Sequence, residues 1–508
     1  MDINNERIAD LSISDKKSEI VQFVFGICAS LSAIVCGAYQ AWPSPAIAHL
    51  RSKETHIRVT DNDAMWIVSL YYAGDLVGSL LNFSLIDRIG RKYTLLAFTI
   101  PELIGWCLII YAKHPLFFYI ARFLGGVGEG GVYSTLIIYL SEIAEKNVRG
   151  ILVNIMVIAN YIGVFIFTAI AAYWSYDTLN YMSIFVTIMS LLIFLILPET
   201  PHYYLMKGRD MDAMDCLKKL RRSTKPSVLT SDMETMKLAI AEDQKASTAG
   251  FWKVVTSSNN RKGVCIIFVL EATECLSGRY ATVSYAHEIF GMSPLPLKPG
   301  IQVMIRNGMQ FLACVAATGI IDRFNRKSLF LTTAIFDGLC LAVVAFFFFL
   351  KIYLLIDVTS FAWVPLVALT SYDVIGSFGV SPLPYIIIGE LFPISIKGPM
   401  VASGMILGPA FSFITSAMYE PVTNNCGIYT TFFLYSILIT TGAVVIYLIL
   451  PETRGRTLEE IQAIQNPVLR LKIESKNLNE TKVDISELKT FIDSDTNTSL
   501  THRHWLES

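Results

Sequence analysis

The chain has 508 residues, of which 53% are apolar and 16% charged, and its net charge is -1. A soluble chain is about 25% charged, so this composition excludes a string of soluble domains and calls for lipid as the solvent. The near-zero charge excludes electrostatic binding of nucleic acid. Most of the nine cysteines sit in apolar runs, and the seven histidines are dispersed. Neither pattern is a disulfide framework or a metal site, and no cofactor is implied.

Residues 1–20 are polar and mixed in charge, and read as a tail rather than a cleavable signal. The first apolar run then directs insertion. Six runs long enough to cross a bilayer follow, at about 21–42, 64–86, 93–112, 116–141, 150–173 and 181–197. A polar stretch, 199–262, carries amphipathic pieces that predict short surface helices. Six more runs lie at about 263–285, 300–321, 328–350, 360–388, 399–419 and 427–450, and a polar tail completes the chain. The expected organisation is an N-tail (1–20), a six-helix half (21–198), a linker (199–262), a second half (263–450) and a C-tail (451–508). Placing the N-terminus inside puts 32 of the 41 Lys and Arg on that side and 6 outside. This bias predicts cytoplasmic termini and linker. Trp42, Trp66, Trp174 and Trp363 fall near the outer boundaries and suit an aromatic belt.

The two halves repeat each other. DRIGRK (87–92) returns as DRFNRK (322–327). SEIAEKNVRG, ending at Gly150, returns as GELFPISIKG, ending at Gly398. PET opens both 198–200 and 451–453. Each landmark sits at the cytoplasmic end of a span. Asp87, Arg88, Arg91, Glu142, Arg149, Glu199, Asp322, Arg323, Arg326, Glu390, Lys397 and Glu452 are therefore expected to interlock as a cytoplasmic gate. Arg122, in the ARFLGG segment, is counted with them. Internal repeats of this kind build transporters with a substrate site near the midplane.

These motifs, with ARFLGGVGEGG and SPLPYIIIGELFPISIKG, resemble the sugar porter family of the major facilitator superfamily over about residues 20–465. The stretch GAYQAWPSPAIAHL further resembles insect facilitated trehalose transporter-like proteins. The resemblance implies an all-α membrane protein of twelve transmembrane helices in two pseudo-symmetric six-helix halves. It also implies facilitative transport of a hexose or trehalose at the plasma membrane by alternating access. The chain departs from the family at the sugar-binding positions. The glutamine of span five is Val157 here. The Gln-Gln and Asn of span seven are Glu274, Cys275 and Tyr280.

Carboxylates replace the neutral amides. Asp75, Glu102, Glu129, Glu271, Glu274, Asp337 and Asp373 fall within spans, as do Arg279 and Arg306. An ionisable group at the bilayer centre costs about 2.5–3.5 kcal/mol on insertion scales and normally faces a cavity or a partner. Glu271 and Glu274 share a helical face, and Arg306, one span later, is expected to pair with either. Asn160, Glu271, Glu274, Tyr280, Tyr285, Arg306, Gln310 and Tyr385 are the candidate substrate-binding residues. The tyrosines offer ring faces, and Gln310 a neutral amide. Resemblance places Tyr285 near an outer gate. The first span has no carboxylate, which favours a facilitator. A proton-coupled or organic-ion transporter, or a sensor that binds without moving anything, stays open.

The run Gly126-Val127-Gly128-Glu129-Gly130-Gly131 matches a dinucleotide pattern, but it lies inside an apolar span with no preceding strand. The spacing of Gly126 and Gly130, of Gly74 and Gly78, and of Gly404 and Gly408 reads as close helix packing instead. No nucleophile–base constellation is present, so an enzyme is not expected. The implied partners are a small-molecule substrate and the lipid bilayer, and nothing in the sequence fixes an oligomeric state.

Overall fold

The structure, a computed structural model, describes the backbone of residues 2–52, 55, 57–145, 147–222, 226–247, 256, 260–392 and 394–452. Its side chains are described over 18–52, 55, 57–145, 147–222, 229–241, 256, 260–392, 396 and 398–452. The expected C-tail, beyond Glu452, lies outside these residues, as does the side chain of Lys397.

No water is present in a bilayer core to satisfy exposed backbone, so long apolar runs fold as helices. The first half contains α1 (Asp2–Ala41), α2 (Pro43–Leu50), α3 (Asp61–Ile89), α4 (Arg91–Ile110), α5 (Pro115–Ile143), α6 (Arg149–Tyr173) and α7 (Tyr176–Ile196). Thr60 and Asp63 form a reciprocal capping box at the start of α3. The linker folds as α8 (Pro201–Met206), α9 (Asp210–Arg221) and α10 (Pro226–Ser247), in line with the short helices expected there. The second half contains α11 (Arg261–Leu276), α12 (Arg279–Ser284), α13 (Ala286–Gly291), α14 (Pro299–Ala317) and α15 (Arg326–Phe348). It continues through α16 (Val364–Phe378), α17 (Leu383–Leu391), α18 (Ile394–Cys426) and α19 (Ile428–Ile449).

Among the described residues, ten helical stretches are long and apolar enough to cross a membrane. The other two expected spans are the seventh, broken after α11, and the eighth, the 19-residue α14. The break falls at Ser277-Gly278. Gly278 takes a left-handed φ of 78°, and a Cβ there would run into the Tyr435 ring.

The repeat is visible in how the helices pair. In the first half α3 and α4 pack on α5, α1 on α6, and α4 on α7. In the second half α14 and α15 pack on α16, α11 on α18, and α15 on α19. The halves meet along two seams, α3 against α18 and α6 against α14.

Three expectations change. The backbone from Asp2 is helical, so α1 runs through the expected N-tail. No Gly or Pro interrupts residues 2–25, and Ser18 and Gln22 anchor the helix by hydrogen bonds to Glu145 at 2.6 and 2.9 Å. Trp42 is fully buried and donates to Asn180 at 2.8 Å, so it is a core residue; Trp66, Trp174 and Trp363 are exposed. The glycine reading holds for α3 and α5, where a Cβ at Gly126 or Gly74 would meet the partner's backbone. Gly404 and Gly408 differ: they face the Glu271 carboxylate.

Candidate functional site

The repeated motifs build the same cluster twice, at one end of the bundle. In the first half the Arg91 guanidinium bonds Glu142 at 2.8 Å and Asp87 at 3.2 Å. Neither the glycine before α4 nor any neighbouring side chain in sequence caps that helix, so its first N–H groups need a partner. Glu199 supplies it, accepting from the Arg91 and Lys92 N–H groups at 3.1 Å. Burial pushes the Glu199 carboxyl above its ordinary range, against those N–H groups and the Arg91 charge, which pull it down. In the second half Arg326 bonds Glu390 at 3.1 Å and Asp322 at 2.9 Å. Glu452 accepts from the Arg326 and Lys327 N–H groups at 3.0 and 3.3 Å. Gly90, at φ 95°, leaves its Cβ position to Glu199; Asn325, its counterpart, has an ordinary φ of -67°, which is why the repeat tolerates the change.

The ion pairs that the described residues form in the two clusters lie within one half each. Among the described residues no ion pair joins the two halves at this end, and Arg88, Arg149 and Arg323 are exposed there without an ion pair. Arg122 does not belong to the group. It lies near the start of α5, about 30 Å along the helix from Glu142 at 1.5 Å per residue. It is fully buried, donates to the carbonyls of Tyr39 and Ile67 at 2.8 and 3.1 Å, and sits 4.1 Å from the Tyr71 ring. The sequence reading erred because proximity in a motif is not proximity along a 29-residue helix.

Between the halves, tyrosines and acids converge. Glu271 and Glu274 lie on α11, the span that breaks at Gly278, and are 1% and 5% exposed. Among the described residues neither forms an ion pair, and Glu271 Oε1 has no hydrogen-bond partner. Methyl groups at Gly404 and Gly408 of α18 would stand 3.1 and 3.0 Å from the Glu271 oxygens, so those glycines make room for a carboxylate. Tyr385 of α17 keeps 48% of its surface exposed while within electrostatic reach of Glu271, Glu274 and, across the seam, Tyr133. The Tyr280 ring lies 5.4 Å from that of Tyr72 in the opposite half. Asn160 is buried on α6 and donates to the Ala33 carbonyl at 3.4 Å; Gln310 is buried on α14. On the first-half side Glu129 accepts from Gln40 at 2.7 Å. This arrangement can offer ring faces and hydrogen-bond acceptors to a polar solute.

Arg306 is not part of that convergence. Its guanidinium is fully buried and takes both oxygens of Asp373, the carbonyl of Thr282 at 2.9 Å and the Thr282 hydroxyl at 3.1 Å. The expected pairing with Glu271 or Glu274 is replaced because Asp373, from α16, offers a bidentate fit. Arg279 likewise turns to Asp337 at 3.4 Å and Asp373 at 3.8 Å. Tyr285 stacks on Tyr419 at 4.2 Å, 1% exposed, at the far end of the bundle, beyond Tyr280 along the seventh span.

That far end carries residues the sequence reading missed. Arg51, just after α2, pairs with Asp61 at 3.0 Å, with Glu420 at 2.7 Å and with Glu288. The last two are, among the described residues, the ion pairs that cross between halves. Ser44 and His287 cross beside them at 2.7 Å. The available signal was weak: a lone Arg in an outer loop reads as an ordinary loop charge.

A family profile described as "Sugar (and other) transporter" matches residues 20–464. The chain is similar to proteins described as facilitated trehalose transporter Tret1. That of Apis mellifera ligustica is 28% identical, covering 87% of this chain and 88% of its own. That of Culex quinquefasciatus is 26% identical, covering 88% and 86%. The fold is similar to the inward-open xylose transporter XylE from E. coli, at TM-score 0.72 and 19% identity over 87% of this chain and 99% of that one. The proton:xylose symporter XylE bound to 6-bromo-6-deoxy-D-glucose gives 0.68 and 19% over 88% and 100%. These likenesses show the major facilitator fold.

Proposed function

Since the chain belongs to the sugar (and other) transporter family, we propose that it carries a sugar, a hexose or trehalose, down its gradient by alternating access at the plasma membrane. The observation that carries this reading is the convergence of Tyr280, Tyr385, Glu271 and Glu274 between two halves that hold matching charge clusters at one end. On the Lys and Arg bias that end is cytoplasmic. The halves rock about the central residues, and no cofactor or ATP is involved. Binding a sugar there needs acceptors for its hydroxyls. Carboxylates serve as well as amides, and a tyrosine face covers the apolar side of a pyranose ring. Of the candidates, Asn160, Glu271, Glu274, Tyr280, Gln310 and Tyr385 are kept as lining residues. Arg306 supports the fold behind them, and Tyr285 belongs with the outer gate.

The test is uptake of labelled trehalose and glucose into oocytes expressing the full chain, at acidic and at neutral pH. Saturable uptake of either, equal at both pH values, supports the reading. Absence of uptake with the protein at the cell surface overturns it. A second reading is favoured by the absence, among the described residues, of an ion-pair partner for Glu271 and Glu274: a proton-coupled or organic-ion transporter. Uptake that rises at acidic pH, or that follows membrane potential, selects it.

A further inference from the structure

We propose that Arg51 is the outer gate residue of this transporter, and that its paired bonds to Glu288 and Glu420 set the balance between outward-open and inward-open states. The proposal rests on the transport reading above. One side chain from the first half reaches two acids of the second, on α13 and α18, while Asp61 holds it from its own half. Asn424 adds a bond to Asp61 at 3.1 Å across the same gap. The side chains are partly or wholly buried: Arg51 is 24% exposed, Glu288 17% and Glu420 6%. Ion pairs removed from water resist screening and are costly to split one partner at a time.

The segment that carries Glu288 is rooted in its own half. Its root, α12, is bolted within the second half: Arg306 of α14 holds the Thr282 carbonyl and hydroxyl, and Asp373 of α16 holds Arg306. Arg279, at the break itself, is tied to Asp337 of α15. The piece from 279 to 291 therefore moves with its half. Glu420 is on α18 of that same half, so both bonds to Arg51 break together when the halves rock apart. At the other end the ion pairs among the described residues stay within their halves. In this state the outer clasp is thus the charged tie between halves among the described residues.

The readout is access rather than flux. A cysteine replaces Tyr72, whose ring packs against Tyr280 beneath the clasp, in a chain whose exposed Cys265 and Cys426 are changed to serine. A membrane-impermeant maleimide is then applied from outside to cells expressing the full chain. Arg51→Gln is expected to raise the labelling rate about tenfold, the shift that about 1.4 kcal/mol of lost bias gives. Glu420→Gln should move it in the same direction if Arg51→Gln fails to reach the surface. Arg51→Lys, which keeps a positive charge among the same three acids, should label more slowly than Arg51→Gln and nearer the parent rate, which a purely steric role would not do. An unchanged rate in Arg51→Gln and Glu420→Gln, or a rate in Arg51→Lys as fast as in Arg51→Gln, overturns the proposal. Sugar uptake measured on cells expressing the chain with Tyr72 intact separates the two readings. Shifted labelling without any uptake keeps the gate and removes the sugar assignment. Uptake with unshifted labelling does the reverse.

Discussion

Arg306 and Asp373 are both wholly buried, so the loss of one strands the other. Asp373→Ala should destabilise the protein by about 3–5 kcal/mol. Replacing both residues with apolar side chains of similar size should cost less than that single change. Thermal unfolding of the purified protein in detergent compares them, and a double variant worse than the single one would contradict the account. Glu274→Gln asks a different question. If the protein is a facilitator, sugar uptake should persist, because an amide accepts the same hydroxyls. If the carboxylate carries a proton or binds a cation, uptake should collapse and its pH response vanish. Little at this scale was readable beforehand. The sequence marks Arg306 as an expensive charge needing a partner, but its partner lies 67 residues away on another helix. Spacing along one helix pointed to Glu271 and Glu274; only the packing of α14 against α16 brings Asp373 into place. Arg51 was hidden for the complementary reason, since nothing in a loop's composition tells which acids fold across from it.

Helix elements were far more legible, because lipid leaves the chain few choices. Apolar runs gave helices close to the expected bounds, and the repeated motifs gave matching clusters. What composition missed was continuity and breakage: α1 runs on through polar residues that nothing interrupts, and the seventh span stops at a glycine it needs. Two element-scale outcomes follow. Glu452→Ala removes the carboxylate that caps α15. It should lower stability by about 1 kcal/mol, in the range of a lost helix cap, with Glu199→Ala at least as severe because Glu199 is more buried. Denaturation midpoints of the two variants test this. At the α3–α5 crossing, Gly126→Leu forces the helices apart against the Tyr71 carbonyl and the Asp75 N–H. Overpacking costs about 1–3 kcal/mol, and surface expression should fall accordingly. A variant that folds as well as the parent would mean that the crossing tolerates a wider gap.

For the whole molecule, the decisive arrangement is that, among the described residues, ion pairs tie the halves at one end and tie each half to itself at the other. On the proposed orientation, a cysteine in place of Tyr385, whose ring is half exposed between the halves, should react faster with a maleimide supplied from the cytoplasmic side of inverted vesicles than from outside in intact cells. Equal rates from both sides would contradict a resting state closed at the Arg51 end. That the molecule is two six-helix halves was readable from three pairs of landmarks. Which end of it is held shut was not, because the same residues serve both states.

The self-contained clusters have one more consequence. Each half carries its own helix cap, its own arginine and acids that hold it, and among the described residues no ion pair of these clusters reaches the other half. A gene cut between the codons for Ser247 and Arg261 and expressed as two polypeptides should yield pieces that insert separately and find each other in the bilayer. Their reunion would depend on the α3–α18 and α6–α14 seams and on Arg51.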